Sequence, residues 1–173
     1  VSSSQIRRSR SEGMRWKCEK RQKPVLFLIL SRLMIVPYSS VIFYNTEKQV
    51  LIQDRRNLWR DDKEWSFFGG RAEGNETPLE TAIREIEEEI HIRLQPEDLA
   101  YLGRVVRESV LEWRTTEGSV FIASWKPEYD DVFVVLEWAW SEWVTLEEMR
   151  QRKTYDAQFV MVGFAEIFFS QNA

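Results

Sequence analysis

Four glutamates lie among the five residues 85–89, close behind Glu76 and Glu80. Like charges three or four residues apart destabilise a helix, so a solvated helix normally mixes its charges. Carboxylate oxygens are the ligands that Mg²⁺ prefers, and Mg²⁺ commonly shares its coordination sphere with substrate phosphates. The cluster therefore predicts metal-assisted phosphate chemistry, in which a cation screens phosphate oxygens and activates a bound water. The alternative interpretation is a solvated acidic helix face.

A single helix must position these carboxylates, and its start can be read from the sequence. Thr77 suits the N-cap, Pro78 the first helical position, and Glu80 completes a Thr-x-x-Glu capping box. Apolar residues then recur at spacings of three and four, which predicts one buried stripe. The stripe consists of Leu79, Ala82, Ile83, Ile86 and Ile90.

The carboxylates fall on an edge that adjoins this stripe. At 100° per residue, Glu85, Glu88 and Glu89 lie within about 100° of one another. Two carboxylates three or four residues apart can bind one ion. The third can then bind a second ion or act as a base on a metal-bound water.

Strand-like runs surround the helix on both sides. They lie at residues 39–45, 48–56, 64–70, 99–110, 110–118, 119–131 and 132–140. The first two are joined by a turn at Asn-Thr-Glu-Lys, and the third ends at Gly69 and Gly70, where we expect a sharp bend. A second capping box at Thr145 and Glu148 precedes a final helix over 156–171. This order predicts an α/β fold in which helices cover a mixed sheet.

The spacing extends beyond the glutamates. Counted from Gly70, Glu76 comes six residues on, and Arg84 follows after seven intervening positions. The pattern resembles the signature of the Nudix hydrolases, G-x5-E-x7-R-E-U-x-E-E-x-G-U, where U is a bulky apolar residue. The corresponding residues are Gly70, Glu76, Arg84, Glu85, Ile86, Glu88, Glu89, His91 and Ile92. Every position matches except the last glycine.

The resemblance implies a Nudix-type α/β/α sandwich with a mixed β-sheet, over roughly residues 35–170. It implies that Glu85, Glu88 and Glu89 hold Mg²⁺ or Mn²⁺. It further implies hydrolysis of a nucleoside diphosphate linked to another moiety (NDP-X), a small-molecule nucleotide, and it makes a homodimer plausible.

Roles for the other matching residues follow from the same resemblance. Glu76 would add a carboxylate from the loop, and Arg84 would orient the glutamates by charge-assisted hydrogen bonds. Gly70 would let the backbone approach the metal. Within the pattern, Glu88 or Glu89 is expected to act as a metal ligand first and as the general base second.

Two residues depart from the family pattern. His91 stands where a glycine is expected just past the helix, a position that often needs a left-handed backbone, which histidine tolerates better than most residues. We interpret this histidine as a surface residue at the helix end rather than a base or ligand. Phe68 replaces a proline that often precedes the glycine pair, which we interpret as a local packing change.

Other site residues are only half identified by the sequence. Three glutamates at or near predicted strand ends could instead be the general base that activates water: Glu128, Glu137 and Glu142. Each can also be explained as a plain surface glutamate. Trp138 and Trp140 share one side of a predicted strand, with Trp143 close behind, and could stack on a nucleobase or pack against a helix. Arginines that could bind distal phosphates or form surface ion pairs are Arg55, Arg56 and Arg60.

Composition narrows the functional class. The chain has 173 residues, 43% of them hydrophobic, which suits one globular domain. One cysteine and one histidine exclude a disulfide framework and any site that needs two of either, and they fit a cytoplasmic protein. Residues 1–24 carry eight of the 24 basic and two of the 28 acidic residues, a net +6, so the remainder carries −10. This acidic body argues against a nucleic-acid partner.

The N-terminal segment resembles a leader only superficially. A basic stretch over 7–23 precedes an apolar run over 25–36, but Arg32 interrupts that run, which is too short to span a bilayer. No small-x-small cleavage site follows it. We expect residues 1–33 to be a poorly ordered or non-native extension, residues 34–173 to form the domain, and no membrane association.

The leading hypothesis is a Mg²⁺-dependent pyrophosphohydrolase of NDP-X, with a MutT-like enzyme acting on (oxidised) nucleoside triphosphates as the form that fits the small size. Sugar-nucleotides, ADP-ribose and dinucleoside polyphosphates are alternative substrates. A non-catalytic nucleotide sensor on the same fold is a second class of function, and a purely structural acidic helix is a third. A pyrophosphohydrolase of RNA 5′ ends would need a basic groove.

Overall fold

The protein is described from a computed structural model that covers residues 35–55, 65–109, 114–135 and 140–172. The extension predicted for residues 1–33 lies outside these ranges, so the expected domain boundary stays a prediction. No helix in the described ranges is both long enough and apolar enough to cross a membrane.

Seven strands of the described chain form one mixed sheet. Their bounds are β1 Ile35–Tyr44, β2 Val50–Asp54, β3 Trp65–Ser66, β4 Phe68–Arg71, β5 Ala100–Ser109, β6 Arg114–Ser124 and β7 Ser141–Val144. The main order is β3-β2-β1-β6-β5, with β4 paired to β1 and β7 paired to β2. Only β1 and β6 run parallel, while every other pair is antiparallel. The predicted mixed sheet is confirmed.

Helices cover both faces of this sheet. Their bounds are α1 Pro78–Ile90, α2 Leu146–Gln151 and α3 Asp156–Gln171. One apolar cluster joins α1 to one face, and a second joins α2 and α3 to the opposite face. The expected α/β/α sandwich is therefore confirmed.

The hairpin between β1 and β2 forms at the predicted turn. The Asn45 side-chain oxygen accepts hydrogen bonds from the amides of Glu47 and Gln49, both at 3.0 Å. Lys48 adopts a φ of 59°, so it closes the turn in the left-handed region. An asparagine side chain that accepts from nearby amides is a common way to stabilise such a turn.

The strands after α1 differ from the prediction in two places. The runs predicted at 110–118 and 119–131 share one strand, β6, which is described from Arg114, continues through Gly118 and ends at Ser124. Pro127 then opens a short 3₁₀ helix, Pro127–Tyr129, because proline cannot donate to a sheet.

The predicted strand at 132–140 is wrong in its described part. The amides of Val132 and Phe133 donate to the Tyr129 carbonyl, so this segment folds back on the turn instead of pairing with a strand. Its alternating pattern arises because Phe133 and Val135 pack against the α1 side of the core. The actual strand, β7, begins at Ser141.

The start and the buried stripe of α1 are confirmed. Thr77 is the N-cap, and its side chain and that of Glu80 form the reciprocal capping box. Ala82, Ile86 and Ile90 are fully buried, while Leu79 and Ile83 pack at the margin. Burial of this stripe fixes the rotation of α1 and so decides which way its acidic edge points.

Replacing Ile86 with alanine tests this packing. Ile86 is 0% exposed, so Ile86→Ala should lower the free energy of unfolding by about 2–5 kcal/mol through lost burial and a residual cavity. Ile167→Ala on α3, where the side chain is 56% exposed, should change it by less than about 1 kcal/mol. Urea unfolding measures both, and equal losses would contradict the packing described for α1.

Candidate active site

The three glutamates predicted to act together lie along one edge of α1, beside β4. Glu85 faces the glycine pair so closely that a Cβ on Gly70 would stand 2.2 Å from its carboxylate. Gly69 has a φ of 132°, and a Cβ there would meet the Ser39 carbonyl at 2.1 Å. Glycine is therefore required at both positions for the strand to approach the helix.

The Arg84 guanidinium is the centre of the ionic contacts at this edge. Its Nε donates to Glu76 at 2.7 Å, and its Nη1 donates to Glu85 at 3.0 Å and to Glu88 at 2.8 Å. Its Nη2 donates to the Arg71 carbonyl at 2.8 Å and to the second oxygen of Glu76 at 3.1 Å. All five N–H groups of the guanidinium are thus used.

Glu76 holds Arg84 from the loop before the helix. Its Oε2 also accepts from the Glu73 amide at 2.9 Å and from the Thr81 hydroxyl at 3.1 Å. These contacts, and first of all the hydrogen bond from Arg84, hold the pKa of Glu76 at about 2. Glu76 therefore stays ionised and fixes the guanidinium in place.

Glu89 lies deepest of the three edge carboxylates. Its Oε2 accepts the Gly69 amide at 2.8 Å. Burial raises the pKa of Glu89 from its ordinary 4.5 to about 7, against the lowering effect of hydrogen bonds from Gly69 and Gln53. Without a nearby cation, this carboxylate is costly to ionise.

Glu85 and Glu88 differ in their surroundings. Burial raises the pKa of Glu85, while the hydrogen bond and charge of Arg84 oppose that rise. The Glu88 side chain is 60% exposed, and its Oε2 is bound to Arg84. Glu88 can therefore turn towards solvent or a ligand more easily than its neighbours.

The donor set suits a hard divalent cation, because it consists of carboxylate oxygens only. In the arrangement described, however, no three Asp, Glu, His or Cys side chains of the described chain converge on one point. Arg84 draws one oxygen each from Glu85 and Glu88, and the Gly69 amide draws one from Glu89. Coordination of one ion by all three would therefore require side-chain movement from this arrangement.

Both departures from the family pattern have a structural explanation. His91 is exposed and caps α1 with a φ of 61° and a ψ of 18°, which confirms the expected left-handed backbone. Its amide donates to the Glu87 carbonyl, so the helix end is satisfied. Phe68 is fully buried against Phe43, so it serves packing.

The residues predicted outside α1 are only partly gathered at the site. Glu142 pairs with Arg152 at 2.9 Å, and Glu128 lies exposed on the 3₁₀ helix Pro127–Tyr129. Trp140 is 78% exposed ahead of β7, and Trp143 packs edge-on against Trp125. Predictions that fall outside the described ranges concern Arg56, Arg60, Glu137 and Trp138.

Several residues near the site escaped the sequence patterns. Tyr38 donates its hydroxyl to the Gly69 carbonyl, and burial first, then the charge of Glu89, raises the pKa of Tyr38. Arg71 and Arg107 line a cavity with Tyr38 and the predicted Arg55. The sequence signal that could have identified these cavity residues is the position of Arg71 directly after Gly70.

Comparison with known families identifies the class. The model of the NUDIX domain matches residues 34–161. The chain therefore belongs to the Nudix family, and it is a Nudix hydrolase, of the class that acts on pyrophosphate bonds. Members of this family generally use divalent metals and act on small nucleotide-type substrates. No curated protein matches the chain.

Solved structures show the same fold. The E. coli ORF135 protein is 20% identical with a TM-score of 0.61, covering 81% of this chain and 92% of its own. A MutT protein from Methanosarcina mazei Go1 is 21% identical with a TM-score of 0.62, covering 80% and 96%. A C. elegans Ap4A hydrolase is 16% identical with a TM-score of 0.62, covering 79% and 98%.

The raised pKa of Glu89 predicts a pH dependence of stability in the metal-free protein. Because the folded state binds the proton more tightly than the unfolded state, stability is highest below about pH 4.5 and is lost as the pH rises through about 7. In EDTA, Glu89→Gln should remove most of this loss, which is on the order of 2–3 kcal/mol. The amide oxygen of glutamine can still accept the Gly69 amide.

Chemical unfolding at pH 5, 6, 7 and 8 measures the effect. Glu97→Gln, at an exposed glutamate on the short 3₁₀ helix Pro96–Asp98, controls for the loss of one negative charge and should keep the wild-type profile. A wild-type profile in Glu89→Gln would show that Glu89 titrates as an ordinary surface carboxylate.

Proposed function

We propose that this protein is a Mg²⁺- or Mn²⁺-dependent pyrophosphohydrolase that cleaves a nucleoside diphosphate linked to another moiety. The observation that carries the proposal is the acidic edge of α1, held by Arg84 against the glycine pair of β4. An edge that serves only solubility would not require glycine at Gly70 or a guanidinium with every donor used.

Metal binding is assigned to Glu85, Glu88 and Glu89. A divalent cation there would screen the phosphate oxygens and make a bound water more acidic. It would also offset the cost of ionising Glu85 and Glu89, whose pKa values burial raises. The cation would thus favour the ionised forms of Glu85 and Glu89.

Arg84 and Glu76 act as positioning residues. Glu76 stays ionised and accepts hydrogen bonds from two N–H groups of Arg84, so the guanidinium keeps its orientation towards α1. Arg84 in turn holds Glu85 and Glu88 until the cation competes for them. Gly70 leaves the space between strand and helix in which the Glu85 carboxylate lies.

The base that takes the proton from water is assigned to Glu88 or Glu89, each of which is also a metal ligand. The Glu88 side chain is 60% exposed, whereas burial raises the pKa of Glu89 in the metal-free protein. Both lie on the edge where the attacked phosphorus would be held. A proton acceptor at either position needs no residue from outside α1.

The substrate class follows from the family and its structural relatives. The names of similar structures include MutT proteins, an Ap4A hydrolase and a dihydroneopterin triphosphate pyrophosphohydrolase. Nucleoside triphosphates and their oxidised forms, dinucleoside polyphosphates and related phosphoanhydrides are therefore the compounds to assay first. A cytoplasmic location, the absence of a nucleic-acid partner and a homodimer stay predictions.

Glu88→Gln is the variant that tests the proposal. Release of phosphate or pyrophosphate should be measured with Mg²⁺ and with EDTA. The panel comprises dNTPs, 8-oxo-dGTP, ADP-ribose, a sugar-nucleotide and a dinucleoside polyphosphate. One class should turn over with Mg²⁺ only, and Glu88→Gln should lower its kcat/KM by more than about 100-fold, because loss of a ligand costs more than loss of its supporting contacts.

Glu87→Gln is the matched control. Glu87 is the neighbour of Glu88 on the same helix but pairs with Arg93 at 2.6 Å, away from the acidic edge. Its variant should retain turnover. Equal losses in both variants would contradict the assignment of Glu88. No turnover of any compound, with Mg²⁺ and nucleotide still raising the melting temperature, would favour a nucleotide sensor.

A further inference from the structure

Three of the arginines whose side chains are described form no direct ion pair with a carboxylate, and all three line the same cavity. Arginines in ion pairs with glutamate are Arg84, Arg93, Arg104, Arg150 and Arg152. Among the arginines whose side chains are described, the remaining ones are Arg55, Arg71 and Arg107. Unpaired guanidinium groups repel one another, so their convergence calls for an anion.

The cavity lies on the α3 face of the sheet, where β4 ends and α3 begins. It measures about 230 Å³, and among the residues that the structure describes no aspartate or glutamate lines it. Besides the three arginines, its walls include Tyr38, Ser66 and Gln158. Because pockets for drug-sized ligands measure about 300–1,000 Å³, this cavity has room for one end of a substrate.

A buried hydroxyl group in its wall has no partner. Ser66 is 2% exposed, and its Oγ makes no hydrogen bond within the described structure. A buried polar atom left unsatisfied costs about 1–3 kcal/mol, so such atoms usually have a ligand or water to bind. The Ser66 hydroxyl can donate to an anion in the cavity.

The first turn of α3 borders the cavity and combines a positive helix end with one acidic residue, Asp156, which does not line the cavity. Ala157 and Gln158 line the cavity, and the N-cap residue, Tyr155, supplies no side-chain acceptor for the helix amides. A helix N-terminus carries about half a positive charge, which favours an anion nearby. Arg107 stacks at 4.7 Å over the Tyr155 ring, which orients its guanidinium.

The cavity adjoins the acidic edge through one strand. The Gly69 amide donates to Glu89, and the Gly69 carbonyl accepts from Tyr38 in the cavity wall. Gly70 borders Glu85, and the next residue, Arg71, lines the cavity. The acidic edge and the cavity therefore border the same three residues of β4, Gly69 to Arg71.

We propose that this cavity binds a phosphate monoester of the substrate that is separate from the pyrophosphate to be cleaved. The inference rests on the proposed function, because it places the pyrophosphate at the acidic edge of α1. Arginine forks match phosphate oxygens in geometry and charge. A neutral nucleobase would supply no negative charge to these guanidinium groups, of which Arg55 already interacts with the charge of Glu89.

The first test uses substrate pairs that differ by one phosphate monoester: coenzyme A with dephospho-coenzyme A, and NADPH with NADH. With Mg²⁺, the phosphorylated member of a pair should have a kcat/KM at least about 10-fold higher. Arg107→Gln should bring the ratio close to 1. Arg104→Gln, on the same strand but paired with Glu117, should keep the wild-type ratio.

The second test measures binding without turnover, by calorimetry in EDTA, with AMP and adenosine as probes. AMP should bind and adenosine should not. Arg107→Gln should weaken AMP binding at least about 10-fold, and Arg104→Gln should not. Ser66→Ala should also weaken AMP binding while the free protein stays as stable as wild type or becomes more stable, since an unsatisfied hydroxyl is removed.

The outcomes separate this inference from the proposed function. Turnover without discrimination within either pair, or equal binding of AMP and adenosine, would overturn the inference and leave the hydrolase standing. The inference would also be overturned if Arg107→Gln behaved like Arg104→Gln. Phosphate-dependent binding of AMP without turnover of any compound would support the cavity and refute the hydrolase.

Discussion

The Arg84 guanidinium connects three parts of the molecule: the loop before α1, the helix α1 and the end of the strand β4. It binds Glu76 in the loop, Glu85 and Glu88 on α1, and the Arg71 carbonyl at the end of β4. Lysine has three donors on one nitrogen and could not reproduce this set. The acidic edge depends on this one side chain for its shape in the absence of a cation.

The second constraint is the close approach of β4 to α1. The Gly69 amide donates to Glu89 and the Gly69 carbonyl accepts from Tyr38, so a single residue of β4 contacts both the acidic edge and the basic cavity. Opposite charges on the two sides of a thin strand suit a substrate that is anionic along its length. A metal would mediate binding on one side, and guanidinium groups would bind directly on the other.

The parts of this structure that depend on local spacing could be predicted from the sequence. The capping box, the apolar stripe and the acidic edge of α1 all follow from periodicity, and His91 takes the left-handed backbone expected of the residue after the helix. The cavity could not be predicted, because Arg71 and Arg107 meet only through strand pairing across β1 and β6. The strand predicted at 132–140 is wrong in its described part because the alternation of apolar residues after Pro127 reflects the packing of a turn against the α1 side of the core.

The central claim is that the crowded carboxylates of α1 bind a divalent cation. Titration of metal-stripped protein with Mn²⁺, with free Mn²⁺ followed by electron paramagnetic resonance, tests it without any assumption about the substrate. We expect bound Mn²⁺ in the wild type and its loss in the double variant Glu85→Gln/Glu88→Gln. Absence of bound Mn²⁺ in the wild type, or equal binding by both proteins, would contradict the claim.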